Sequence, residues 1–205
     1  MLLGAPASGK GTQAAVLSEH FKVPKISTGD MLRAALAQGT ALGKEAARFM
    51  NAGELVPDEV VIGLVAERVS APDAAKGFIL DGFPRTVPQA EALALVLDRR
   101  AEPISAVLQI DVPRELLMER ATLRRTDKRT GQIYHLKYNP PPLDAELEHR
   151  ADDREETVIT RLDQYDAMTA ALLPHYAKLG VLQRVDGVGE PAEVTRRILS
   201  ALSAE

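Results

Sequence analysis

Short apolar runs alternate along this chain with longer stretches of helical periodicity, the pattern of βα units packed around a parallel sheet. Residues 77–81, 104–111 and 181–185 read as buried strands. The opening Leu2-Leu3 is only a strand fragment. Strands typically run about five or six residues, so the first is clipped here or begins upstream. The spacing predicts helices over 10–20, 28–38, 42–51, 58–69, 87–98, 114–125, 155–173 and 192–202. In the helix over 155–173, Val158, Leu162, Tyr165, Met168 and Leu172 recur at intervals of three and four and make a single apolar stripe. Asp153 and Glu156 form a capping box at its start.

One segment breaks the rhythm. Residues 126–153 carry Thr130-Gly131, the run Asn139-Pro140-Pro141-Pro142 and scattered charges, with no helical period. It reads as an inserted flap, and the alternation from Gln132 to Tyr138 favours a small β structure within it. The chain has 205 residues, 45% of them apolar, which suits one globular unit with large insertions. With 25 Lys+Arg against 29 Asp+Glu, charge alone supplies no broad surface for nucleic acid or membrane, so any anion site must be local. The absence of cysteine excludes disulfides, thiol catalysis and thiolate zinc sites, and only four His remain as nitrogen ligands, so no structural zinc is expected. The N-terminal apolar run is too short for a secretory signal, and charges interrupt every potential membrane span, which makes a cytoplasmic location the default.

The chemistry is densest at Gly4-Ala5-Pro6-Ala7-Ser8-Gly9-Lys10-Gly11-Thr12, which follows an apolar fragment and opens a helix. This is a Walker-type phosphate loop: successive backbone N–H groups wrap a phosphate, the helix N-terminus adds partial positive charge, and Lys10 supplies a mobile cation. Gly11 stands where the strict pattern has Ser or Thr, and Thr12 comes next. Ser8 is a poor hydrolase nucleophile, because Gly-x-Ser-x-Gly is not satisfied. There is no Asn-Lys-x-Asp run of the guanine-binding kind, and Leu80-Asp81-Gly82 lacks the Asp-Glu of a motor ATPase. Without a water-activating glutamate, the site suits phosphoryl transfer to a second bound acceptor.

Four ordered motifs together resemble the adenylate kinase family: Gly4 to Thr12, Ile26 to Arg33 (Ile-Ser-Thr-Gly-Asp-Met-Leu-Arg), Asp81-Gly82-Phe83-Pro84-Arg85, and Gly131-Gln132-Ile133-Tyr134-His135. Arg120, Arg124, Arg150 with Asp152-Asp153, Arg161 and Val185-Asp186-Gly187 also fall where that family has them. The resemblance implies an α/β phosphate-loop nucleoside monophosphate kinase fold, with a parallel five-stranded sheet flanked by helices and mobile acceptor-binding and lid insertions. It implies a core of residues 1–26, 57–125 and 154–205, an AMP-binding domain at 27–56 and a lid at 126–153. It implies the reaction ATP + AMP ⇌ 2 ADP with Mg²⁺, serving adenine nucleotide homeostasis, and a monomer whose partners are ATP, AMP and ADP, not nucleic acid or membrane.

By the same resemblance, Lys10, Arg85, Arg120, Arg124, Arg150 and Arg161 line the path between the nucleotides as the catalytic set. The planar arginine fork suits this work, since it grips phosphate oxygens bidentately and stays charged. Arg120 and Arg124 are expected one turn apart on the helix over 114–125, facing the same phosphates. ATP would be held by Ala7, Ser8, Gly9, Lys10, Gly11, Thr12, Arg124, Ile133, Tyr134 and Gly189. AMP would be held by Thr28, Arg33, Glu54, Leu55, Val56, Gly82, Phe83, Pro84, Arg85, Gln89, Arg150 and Arg161. In this reading the Gln89 amide reads the adenine edge, and Asp81 and Thr12 orient Mg²⁺ through water with no direct protein ligand.

Two departures stand out. Ala7 replaces a glycine of many relatives, which requires φ below zero at that residue, and the segment from Tyr134 to Arg150 is shorter than the usual long lid. Ser27, Thr28 and Asp30 all have a second reading as helix caps, and Arg150 as the ion-pair partner of Asp152 or Glu148. Arg48, Arg68, Arg99, Arg100, Arg196 and Arg197 match no motif and read as solvated helix faces. The competing functions are a UMP or CMP kinase and a nucleotide-binding module without catalysis.

Overall fold

A computed structural model describes residues 1–203. Five strands, β1 (Leu2–Leu3), β2 (Lys25–Ser27), β3 (Ile79–Asp81), β4 (Val107–Asp111) and β8 (Leu182–Asp186), form a parallel sheet in the order β2-β3-β1-β4-β8. Side chains alternate across it, so each apolar strand feeds two cores. Leu2, Leu108, Ile110 and Val185 pack with Ala14 and Leu17 of α1 (Lys10–Phe21), Leu117 of α6 (Arg114–Thr122), Val158 of α7 (Glu155–Gln164), and Val194 and Ile198 of α9 (Pro191–Leu202). Ile26, Leu80 and Phe83 pack with Val61 and Val65 of α4 (Asp58–Val69) and Leu93 and Leu97 of α5 (Val87–Asp98). Leu3 and Val107 meet Ala90 of α5 and Leu172 and Tyr176 of α8 (Leu172–Lys178).

Two pieces depart from this layering. After β2, helices α2 (Thr28–Ala37) and α3 (Ala41–Ala52) fold into a hairpin. Gly43 makes their close crossing possible, because a Cβ there would lie 2.2 Å from backbone atoms of Ala35 and Leu36. The flap is a three-stranded antiparallel sheet of β5 (Arg124–Asp127), β6 (Ile133–His135) and β7 (Leu147–Glu148), in the order β6-β5-β7. Its first turn is tied by Asp127 Oδ1, which accepts from the amides of Arg129 and Thr130, and its second by His135 Nδ1, which accepts from Lys137 and Tyr138. Lys137 Nζ and the Tyr138 hydroxyl both donate to Glu119 of α6, fastening the flap to its supporting helix.

Three local expectations are corrected, and one strand that the sequence pattern did not show is added. The short β2 has one interior apolar residue, Ile26, and its pattern is too brief to show as a strand. The helix over 114–125 ends at Thr122, so Arg124 opens β5 instead of sitting one turn beyond Arg120 on the same helix. The helix over 155–173 is interrupted by a π-helical turn at Tyr165–Thr169, whose extra residue per turn rotates the stripe. Met168 is consequently 42% exposed, and Thr169 turns inward to donate to the Arg85 carbonyl at 2.9 Å. Arg154 takes the N-cap of α7 with no side-chain cap, because Asp153 is buried against Arg124, whereas Glu190 and Glu193 form a capping box on α9.

Candidate functional site

Strand β1 delivers the loop 4–9 to the N-terminus of α1 at the carboxyl edge of the sheet, where open parallel sheets bind ligands. The loop closes on itself as the Ser8 amide donates to the Ala5 carbonyl at 3.2 Å. Lys10 Nζ reaches back over it to donate to the carbonyls of Gly4 at 2.6 Å and Ala5 at 2.7 Å. Burial lowers the Lys10 pKa to about 7, assisted by Arg85, Arg161 and Arg124 and opposed by Asp81. Ala7 has φ of +64°, which overturns the expectation of a negative value; a left-handed conformation that glycine adopts freely is here imposed on a side chain.

The loop opens onto a cleft of about 1250 Å³ that runs under the flap to the α2–α3 hairpin. Ala7 to Thr12, Asp81, Arg120, Arg124, Ile133, Tyr134 and Gly189 line it, with Arg33, Gly82, Pro84, Arg85, Arg150 and Arg161. A smaller pocket continues from it, walled by Thr28, Arg33, Glu54, Leu55, Val56, Gly82, Arg85, Gln89 and Arg161. Of the residues named from sequence, Phe83 alone lies on neither wall, its ring being in the core beside α4 and α5.

Each arginine is held by a different part of the fold. Arg85 follows β3, and its Nε donates to the Gly82 carbonyl at 3.0 Å. Arg120 projects from α6 and donates to the Gly187 carbonyl at 3.1 Å. Arg124 makes a two-pronged pair with buried Asp153, with Nε to Oδ2 at 2.8 Å. Arg161 on α7 lies 3.1 Å from Asp152 Oδ2 and donates to the Asp152 carbonyl. Arg33 on α2 pairs with Asp30 at 2.6 Å. Arg150 bonds the Thr126 hydroxyl at 2.9 Å and makes neither of the ion pairs weighed for it. Burial lowers the pKa of Arg85, Arg150 and Arg161, the last to about 10, with neighbouring arginines adding to the shift. For Arg124 burial acts in the same direction, but its bond to Asp153 prevails and the pKa rises. These cations outnumber the carboxylates that face them, so the cleft favours a polyanion.

In the smaller pocket, Ser27 caps α2, which frees the Thr28 hydroxyl to donate to the Gly82 carbonyl at 2.9 Å. Gln89 is buried and half committed: Oε1 accepts from the Arg85 amide at 2.7 Å and Nε2 donates to Asp58 Oδ1 at 2.6 Å. One lone pair and one hydrogen of its amide remain for a ligand. Sequence reasoning missed Asp58, which holds both Gln89 and Thr86, and considered Asp152 only as a partner of Arg150, whereas it lies on both walls between Arg33 and Arg161. Asp152 stood in a quoted motif; Asp58 carried no signal beyond an acidic residue in a first helical turn.

A phosphate loop at the edge of a parallel sheet, joined by an arginine-lined cleft to a second pocket, defines a phosphate-loop protein with room for two anionic ligands. The family model for adenylate kinase matches residues 2–181. Among curated proteins, the adenylate kinase of Sorangium cellulosum is 60% identical over 98% of this chain and 95% of its own length. Those of Carboxydothermus hydrogenoformans and Archaeoglobus fulgidus are each 50% identical, over 98% of this chain and 98% and 96% of their own lengths. The chain belongs to the adenylate kinase family.

Proposed function

We propose that this protein is an ATP:AMP phosphotransferase, catalysing ATP + AMP ⇌ 2 ADP and so balancing the adenine nucleotides. The observation that carries the reading is the continuity of the two pockets, which share Arg33, Arg85 and Arg161 at their junction. Phosphoryl transfer demands in-line placement of two nucleotides and neutralisation of the oxygens between them, with little covalent work by the protein. In this reading Ala7 to Thr12 cradle the donor phosphates, with Arg124, Ile133, Tyr134 and Gly189 flanking its base and ribose. Arg33 and Arg85 hold the acceptor's phosphate, Thr28, Glu54, Leu55, Val56 and Gln89 surround its base, and Gly82 and Pro84 close the floor. Lys10, Arg85, Arg120, Arg124, Arg150 and Arg161 surround the transferred group.

The residues present also fit Mg²⁺ held through water. Asp81 ends β3 on the cleft wall, 8% exposed, and its carboxylate accepts no hydrogen bond among the described residues. Thr12 lies on the same wall. Asp81 and Thr12 would hold the ion through water, and it would supply neutralisation of phosphate charge, its preference for retained waters suiting a single outer carboxylate.

We further propose that 1–26, 57–125 and 154–205 act as the core, 27–56 as the acceptor arm and 126–153 as the lid, whose closure excludes water from the transfer. The enzyme is proposed to work as a cytoplasmic monomer; no helix among the described residues is long and apolar enough to cross a membrane. The test is ADP formation by purified protein given ATP, Mg²⁺ and each nucleoside monophosphate in turn. AMP should be the preferred acceptor, with Lys10→Ala and Arg85→Ala each slowing turnover at least about 10²-fold through lost charge stabilisation. UMP or CMP outperforming AMP would reassign the acceptor, and wild-type rates in both variants would remove these residues from the site.

A further inference from the structure

The loop after β8 forms one wall of the cleft through Gly187, Val188, Gly189 and Glu190. Its peptide groups are committed on every side of Gly189. The Gly187 amide donates to the Asp111 carbonyl at 2.8 Å, the Val188 amide to Asp186 Oδ1 at 2.9 Å, and the Glu190 amide to Glu193 Oε2 at 3.3 Å. The Gly187 carbonyl is taken by Arg120. The carbonyls of Asp186 and Val188 are taken together by one group, Nη1 of Arg197, at 3.0 and 2.5 Å, while the same nitrogen lies 3.3 Å from Asp186 Oδ2. Gly189 makes no hydrogen bond through its amide or carbonyl among the described residues. It sits at φ +114°, where a Cβ would come within 2.6 Å of Glu193 Oε2.

We propose that Arg197 is a positioning residue for the donor nucleotide. From the second turn of α9 it clamps the loop on both sides of Gly187, so that the free amide and carbonyl of Gly189 are presented to the edge of the donor base at a constant place. A half-exposed arginine–aspartate pair contributes little to stability in its own right, so the consequence of this clamp lies in the backbone it immobilises. Arg197 touches no ligand in this scheme, and it matched no motif of the sequence. The inference rests on the reading that the donor base lies against Gly189.

The test is steady-state kinetics of Arg197→Ala, Arg197→Lys and, as a control on the same helix, Arg196→Ala, with ATP and AMP varied separately. Loss of the clamp should raise KM for ATP about 3- to 10-fold, with KM for AMP and kcat changed by less than about twofold. Lysine, which can still donate to both carbonyls, should recover most of that loss, and Arg196→Ala should behave as wild type. An unchanged KM for ATP in Arg197→Ala, or a parallel shift of both KM values and kcat with a falling Tm, overturns the proposal. Amide hydrogen exchange of wild type, with and without ATP, separates the two levels. Slowed exchange at residues 187–190 on adding ATP places the donor there whatever Arg197 does, and unaltered exchange defeats the underlying reading along with the clamp.

Discussion

Lys10 shows how a single residue couples binding to protons. Its ammonium is desolvated by burial and ringed by Arg85, Arg161 and Arg124, which hold it at a pKa of about 7, well below the 10.5 of the unfolded chain. Between those values the unfolded chain binds more protons than the folded one, and this residue's contribution to stability therefore improves as pH rises from about 7 towards 10.5. In the proposed site ATP would reverse the balance, since phosphates beside Lys10 favour its charged form. At pH 8, ATP binding should take up a proton, read as a calorimetric enthalpy that depends on the buffer's ionisation heat; Lys10→Met should abolish that dependence. At Ala7 the constraint is steric. A side chain at φ +64° is disfavoured by about 1–2 kcal/mol, and the extra freedom glycine gives the unfolded chain offsets part of this. Ala7→Gly should therefore raise Tm by roughly 1–4 °C in a melt.

At the scale of elements, the arm proposed for the acceptor depends on how closely α2 and α3 cross. The hairpin is short and contributes only Leu32 and Ala46 as fully buried apolar side chains to the second core, so it has little spare packing to absorb strain. Gly43→Ala would drive a methyl into the backbone of Ala35 and Leu36 and force the helices apart. Overpacking of this kind costs about 1–3 kcal/mol, equivalent to roughly 2–12 °C in Tm for a chain of this size. Because Arg33, on α2, would be displaced, KM for AMP should rise more than KM for ATP in initial-rate measurements. The π-turn at Tyr165–Thr169 matters to the same wall of the site, as it turns Thr169 inward to hold the Arg85 carbonyl.

Across the whole molecule, the cationic side chains of the cleft come from segments far apart in sequence, and bringing them together concentrates more positive charge than the carboxylates facing them neutralise, an excess a polyanion would relieve. A two-headed mimic, two adenosines joined by a polyphosphate, should bridge both pockets and stabilise the fold. At a hundred times its Kd the gain is about 2.7 kcal/mol, visible as roughly 5–11 °C in Tm. The same ligand should slow amide hydrogen exchange across 27–56 and 126–153 well beyond what ATP or AMP achieves alone. Unchanged exchange in those segments would remove the closing role proposed for them.

Much of this architecture is local and therefore legible in one dimension. The phosphate loop needs only a strand end, small residues and a helix start in succession, and the βα rhythm and the small β structure of the flap follow from side-chain period. What the chain alone left open depends on groups distant in sequence. The capping box expected of Asp153 yields to a buried pair with Arg124, twenty-nine residues earlier, because a desolvated charge needs its counterion more than a helix needs a cap. The partners of Gln89, the left-handed turn at Ala7, the inward rotation of Thr169 and the hold of Arg197 on the loop before α9 were likewise decided only when the elements packed. Periodicity encodes which face of an element is apolar, whereas the pairing of buried polar groups is a property of the assembled volume.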